Sequence, residues 1–231
     1  MADATGKGLE GVVAAQTKIS DVDGRQGRLF YAGYDIADLA AHASFEETIH
    51  LLHHLELPTA AQLEATVATL RAESSLDPLL LELIASLAER TGPMTTLRTA
   101  VSAAAALDPN DDQSDEANLR KAYRLMAKTP QIIATYQRLR TGGDAIEPRD
   151  DLGVAANFLY ALTGKQPDPQ VARDFDVVLV LYADHTLNAS TFAGRVAAAT
   201  LADMYAAATA AIPEVTEAAG LLPRPSPSSA A

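Results

Sequence analysis

The sequence predicts an all-α protein of about nine helices preceded by one small β-hairpin. Three observations lead there. Alanine, the strongest helix former, is the commonest residue by a wide margin, while Trp is absent and β-branched runs are scarce. Helix start and stop signals succeed one another from residue 44 to residue 212. Alternation of strand type is confined to the N-terminal end, where Val12-Val13 and Ile19 lead through Asp23-Gly24 into Arg28-Leu29-Phe30-Tyr31. At 231 residues, 48% hydrophobic and 21% charged, the chain is long enough to bury a core and has a globular composition.

The helices follow in order. Ser44 with Glu47 is a capping box, opening a helix whose apolar side is Phe45, Ile49 and Leu52 and which stops before Leu57-Pro58. Thr59 with Gln62 repeats the device for a helix through Leu63, Val67 and Leu70. Asp77-Pro78 is an N-cap with proline at the first helical position, and Leu79, Leu80, Leu83, Ile84 and Leu87 follow at helical spacing until Gly92-Pro93. A helix over about 94–107 meets the acidic loop Asp108-Pro109-Asn110-Asp111-Asp112. The next runs over about 116–128 and meets Pro130, which restricts the residue before it; 132–139 continues helically to Gly142-Gly143. Helices over 151–162, closed by Gly164, and over 169–182 follow. The block Val177-Val178-Leu179-Val180-Leu181 predicts burial of that helix on several sides. Asn188 then caps one long Ala-rich helix to about residue 212. Residues 1–7 read as a flexible terminus, and the Pro/Ser-rich stretch within 213–231 reads as disordered.

Composition excludes several functions. With no Cys there is no disulfide, thiolate metal site or thiol nucleophile. A net charge of −12, from 18 Lys and Arg against 30 Asp and Glu, argues against nucleic acid and anionic membrane as partners. No apolar run reaches the ~18 residues of a membrane span. The first eight or so residues carry no apolar signal, so the expected location is cytoplasmic. Glycine-rich phosphate loops, G-x-S-x-G and the calcium loop are missing.

Five histidines remain as candidates: His42, His50, His53, His54 and His185. Glu46, His50 and His53 or His54 have the spacing of one helix face and would present donors to a metal. There is no H-E-x-x-H and no evident fourth ligand, so no metal site is assigned. His185 follows Asp184 and precedes the helix start at Asn188. It admits two readings. Either Asp184 holds the ring toward a cleft beside a helix N-terminus, an anion site, or the ring is a buried histidine capping the preceding helix.

The stretch Ala183-Asp184-His185-Thr186-Leu187-Asn188-Ala189-Ser190-Thr191-Phe192-Ala193-Gly194-Arg195-Val196 resembles the citrate synthase family. Further blocks agree in order: Gly8-Leu9-Glu10-Gly11-Val12-Val13, Gly33-Tyr34-Asp35-Ile36-Ala37-Asp38-Leu39, Glu56-Leu57-Pro58-Thr59, Ala127-Lys128-Thr129-Pro130 and Thr200-Leu201-Ala202-Asp203-Met204-Tyr205. So do Pro93-Met94 with Leu97-Arg98-Thr99-Ala100-Val101-Ser102, and Asn157-Phe158-Leu159-Tyr160 with Leu162-Thr163-Gly164. The resemblance spans residues 8–212 and implies a partial, truncated version of the family's helical large domain. Ala32 departs from an arginine common in the family, and Gly92 from a histidine.

The resemblance implies condensation of oxaloacetate with acetyl-CoA to citrate, in the tricarboxylic acid cycle; relatives use propionyl-CoA and make 2-methylcitrate. It implies a homodimer, acetyl-CoA as substrate and no resident cofactor. His185 corresponds to the histidine that binds oxaloacetate, with Asn188 opening the helix beside that pocket. After Ile212 the family continues into a Gly-Pro-Leu-His-Gly-Gly-Ala segment with a catalytic histidine, then a second histidine, a catalytic aspartate, and arginines for oxaloacetate and CoA. Pro213 begins different sequence here. The expectation is therefore no catalytic residue and no turnover by this chain alone. Three readings follow: one subunit of a split enzyme, a non-catalytic dimerising or regulatory partner of a complete citrate synthase, or a truncated product.

Overall fold

The computed structural model describes residues 15–110 and 112–212. The Val12-Val13 part of the expected hairpin, the block at 8–13, residues 1–7 and the stretch 213–231 lie outside the described residues.

Strands β1 (Ser20–Asp23) and β2 (Arg28–Tyr31) pair antiparallel with Ser20 opposite Tyr31, forming the expected hairpin. Its turn differs in detail. Asp23 Oδ1 accepts the N–H groups of Arg25 and Gln26, and Gly27 (φ 66°), not Gly24, takes the left-handed position. A third strand, β3 (Tyr34–Asp35), extends the sheet through a two-residue turn at Ala32-Gly33, where both residues have positive φ. Asp35 then caps a short helix, α1 (Ile36–His42), where the sequence reading placed no element.

Both capping boxes form as read, opening α2 (Phe45–His54) and α3 (Ala60–Ala72). Helix α4 (Pro78–Ala88) starts at the Asp77 cap. Helix α5 (Pro93–Ala104) tightens into a 3-10 turn (Ala105–Leu107) before the acidic loop.

Helix α6 (Asp115–Arg140) runs unbroken through Pro130, where the sequence suggested an interruption. Proline in a helix interior removes one hydrogen bond and crowds the preceding turn. Burial on both sides of it, by Leu125, Ala127, Ile132, Ala134 and Tyr136, outweighs that local cost. At 26 residues α6 is about 39 Å long and packs against α3, α4 and α5. Helix α7 (Val154–Thr163), which also contacts α6, starts three residues later than the expected 151 and closes on Gly164 in the left-handed region.

Helix α8 (Pro169–Tyr182) has the expected bounds, but it is not buried on several sides. Val180 is fully buried, whereas Val178, Leu181 and Tyr182 are exposed, because α1, α2 and α7 cover only one side of it. The expected long final helix is two helices, α9 (Ala189–Ala198) and α10 (Met204–Ala211). Leu201 turns left-handed (φ 61°) between them, and Asp203 caps α10 by accepting the Ala206 N–H. Alanine propensity suits both segments but says nothing of the turn. The two pack side by side so closely that a Cβ added at Gly194 would lie 3.3 Å from that of Ala211.

Three buried clusters hold these elements. Leu80, Ile84, Val101, Ile132, Tyr136 and Tyr205 join α4, α5, α6 and α10. Ile49, Leu70, Tyr123 and Ala127 join α2, α3 and α6. Tyr31, Leu39, Leu51 and Val180 join the hairpin to α1, α2 and α8.

Gly153, the N-cap of α7, has no side chain to offer; Glu46 of α2 reaches across and accepts the Val154 N–H at 2.7 Å. The fit is close, since a Cβ at Gly153 would lie 2.7 Å from Glu46 Oε1. Glu46→Ala should cost about 1–3 kcal/mol in urea unfolding by leaving a half-buried helix N-terminus without its acceptor. Gly153→Ala should destabilise the same joint. Unchanged midpoints in both would show that the contact is idle.

Candidate functional site

The corner between α8 and α9 holds both residues singled out for binding. Asn188 is the N-cap of α9: its Oδ1 accepts the Thr191 N–H at 2.7 Å. That bond fixes the amide orientation, so Nδ2 is the atom facing His185 Nε2 at 3.1 Å. Nδ2 can only donate; Nε2 therefore accepts, and the ring proton of the neutral imidazole is on Nδ1. His185 is exposed beside the first turn of α9, whose unpaired N–H groups and dipole favour an anion. It is not a buried histidine capping α8.

Asp184 does not hold the ring, contrary to one reading of the sequence. Its carboxylate accepts the Ser20 hydroxyl and, at 3.0 Å, the Thr186 N–H. His185 is held by Asn188 instead, three residues on. Thr186 has φ 75°, unusual for a β-branched residue, and this turn sets His185 outward while its neighbours face the hairpin.

The other histidines do not join this corner. His50 is buried, with Nδ1 3.2 Å from the Thr66 hydroxyl and Nε2 without a partner. His53 Nδ1 donates to the Ile49 carbonyl at 2.8 Å, and its ring stacks on Tyr123. The His54 ring lies 4.2 Å from that of His50, and His42 ends α1. Burial pushes both His50 and His53 below the ordinary imidazole range, assisted at each by the nearby His54. Because Glu46 is turned to α7, the spacing that suggested a metal face does not gather its donors; among the described residues no three His, Asp or Glu are placed to hold an ion.

A polar network escaped the sequence reading because its members are 132 positions apart at the extremes, from Glu73 to Tyr205. Arg124 forks onto Glu73 at 2.6 and 3.0 Å and reaches Asp108 at 2.6 Å. Tyr205 donates to Asp108 at 2.6 Å. It borders a cleft of about 260 Å³ that includes Ser75, Asp77 and Lys128. An apolar groove of about 390 Å³ lies between α6, α7 and α8, lined by Met126, Ile133, Phe158, Phe175 and Leu179. Neither is lined by His185 or Asn188; His185 is exposed and Asn188 half-buried.

Burial pushes the Asp108 carboxyl up, but the Tyr205 hydroxyl, the Asn110 N–H and Arg124 outweigh it and hold the group below its usual range. Burial and Asp108 push Tyr205 up to about 12. Asp108 therefore adds stability above its unfolded pKa near ~3.9, lost as pH falls through the folded value. Tyr205 adds stability below an unfolded pKa of about 10 that is lost on rising toward 12. Denaturation followed against pH should show Asp108→Asn flattening the acid limb and Tyr205→Phe the alkaline limb. Parallel curves for wild type and both variants would contradict this.

Comparison with known proteins places this geometry. Residues 8–214 match the family model described as citrate synthase, C-terminal domain. Citrate synthase of Haloferax volcanii is 49% identical over 211 residues, covering 89% of this chain and 56% of the relative. The crystal structure of citrate synthase from Pyrobaculum aerophilum superposes with a TM-score of 0.82 at 40% identity, over 89% of this chain and 53% of that one. The ternary complex of Thermoplasma acidophilum citrate synthase with carboxymethyl coenzyme A and oxaloacetate superposes with a TM-score of 0.84 at 29% identity, over 89% and 54%. The chain thus spans about half the length of the relatives it matches. On sequence and on fold, the chain belongs to the citrate synthase family.

Proposed function

We propose that the His185–Asn188 corner is the oxaloacetate-binding part of a citrate synthase-type site, and that a polypeptide of these 231 residues binds the dicarboxylate without turning over acetyl-CoA. The observation that carries this reading is the 3.1 Å contact between Asn188 Nδ2 and His185 Nε2. It leaves an exposed Nδ1–H donor beside a helix N-terminus, the chemistry that receives a carboxylate.

Condensation requires more than this corner. A carboxylate base must meet the methyl group of the acetyl thioester, and a donor must face the developing enolate oxygen. The carboxylate next to His185 is Asp184, already engaged by Ser20 and Thr186. Arginine forks suit the two oxaloacetate carboxylates, and a net charge of −12 gives the chain as a whole no attraction for dicarboxylate or CoA. The proposed setting is the cytoplasmic tricarboxylic acid cycle, where the family's condensation takes acetyl-CoA as co-substrate and no resident cofactor. No described helix is long and apolar enough to cross a membrane.

Calorimetry on the purified chain should show oxaloacetate binding that weakens at least tenfold in His185→Ala. CoA release from acetyl-CoA and oxaloacetate should stay at background. Turnover by the chain, or oxaloacetate binding indifferent to His185, would refute the reading.

A second reading concerns association and rests on the uncovered side of α8 and α9. Val171, Val178, Leu181, Tyr182, Phe192 and Val196 are all exposed. Apolar surface of this kind favours a partner, either a second copy or another citrate synthase-like chain, as expected of a subunit or a dimerising partner. Light scattering should give a dimer, or a complex when a complete citrate synthase is present. Tyr182→Glu should dissociate it, and a monomer under both conditions would exclude association.

A further inference from the structure

The loop that carries His185 is held from outside its own helices, by the N-terminal hairpin. Tyr31 of β2 is fully buried. Its hydroxyl donates to the Asp184 carbonyl at 2.9 Å, with the Leu181 carbonyl as a second acceptor at 3.2 Å, and accepts the Asp184 N–H at 3.1 Å. One oxygen thus satisfies a carbonyl left free at the end of α8 and both backbone groups of the residue before His185. Ser20, opposite Tyr31 in the sheet, donates to the Asp184 carboxylate and accepts the Thr186 N–H at 3.1 Å. Its contact is with the residue after His185. The two hydroxyls therefore grip the loop on either side of the imidazole and touch neither the ring nor Asn188.

The loop needs such a grip. Left-handed backbone at a β-branched threonine persists only where surrounding contacts over-determine it. Without them Thr186 would relax to negative φ and carry the imidazole away from Asn188 Nδ2. We infer that Tyr31 and Ser20 are positioning residues for the His185–Asn188 corner, setting ring orientation and tautomer through the backbone of Asp184 and Thr186. The inference rests on the oxaloacetate reading above only for its functional consequence.

Long-range proton–nitrogen spectra of the histidine rings test it on the intact chain, with His185→Gln identifying the His185 signals. Wild type should show His185 with its proton on Nδ1. Tyr31→Phe keeps the buried ring and removes the hydroxyl, and Ser20→Ala leaves the strand backbone intact. Both should shift His185 toward a mixture of tautomers and weaken oxaloacetate binding about tenfold. Tyr136→Phe is the control: it removes another buried hydroxyl, one bonded to the Thr91 carbonyl at 3.0 Å. It should lower the melting temperature and leave the His185 signals unchanged. Should Tyr31→Phe fail to fold, Ser20→Ala decides alone. Unchanged His185 signals in the folded variants would overturn the inference, whatever happens to the melting temperature. If wild type does not bind oxaloacetate, the ring spectra still decide the positioning role, and it is the binding assignment that fails.

Discussion

The satisfaction of helix ends by side chains from distant parts of the chain is the constraint on which this structure depends. Helix α8 shows it most clearly. Arg173 donates to the carbonyls of Ala40 and Ala43 at the C-terminal end of α1, each at 2.9 Å. Three residues along, Asp176 accepts the Phe45 N–H at 3.0 Å at the start of α2 and pairs with Arg173 at 2.7 Å. A cation on a helix C-terminus and an anion on the next N-terminus complement both dipoles at once. One turn of α8 thereby fixes the sharp α1–α2 junction. Glu46 does the same for α7, and Arg140 for the last carbonyl of α4 at 2.9 Å.

This explains why few polar residues in the interior are isolated. Among the described residues, the buried Glu46, Lys121 and Asp176 each meet a backbone group or an opposite charge, which is the condition under which burial is tolerable. The Arg124 network follows the same logic among side chains, joining the end of α3, the acidic loop, α6 and α10. His50, with one buried ring nitrogen unpaired, is the exception among the histidines. Its local cost is offset by the packing of α2 on α3 and α6.

The candidate corner is built by the same means but used differently. Tyr31 and Ser20 hold the loop backbone, the loop turns through a left-handed threonine, and the histidine that results is exposed and bonded to Asn188. A site assembled this way is pre-oriented without being enclosed. The uncovered apolar side of α8 lies along the same helix.

Local signals determined much of this protein. The capping boxes at Ser44 and Thr59, the proline starts at Pro78 and Pro169, and the stop at Gly164 act within one helical turn, so their positions were legible directly. The family blocks likewise brought out His185 and Asn188, and Asn188 as a cap follows from its type and place. What tertiary structure decided was everything requiring a partner far along the chain. Pro130 stays inside α6 because neighbouring helices bury both its flanks, and α9 ends at Ala198, with a left-handed turn at Leu201, because α10 packs back on it. The side chain beside His185 proved to be Asn188 and not Asp184, because Ser20, 164 residues earlier, claims that carboxylate. Propensity and caps are interactions between near neighbours, readable in order. A hydrogen bond across the fold depends on which surfaces meet, and only the packed molecule determines that.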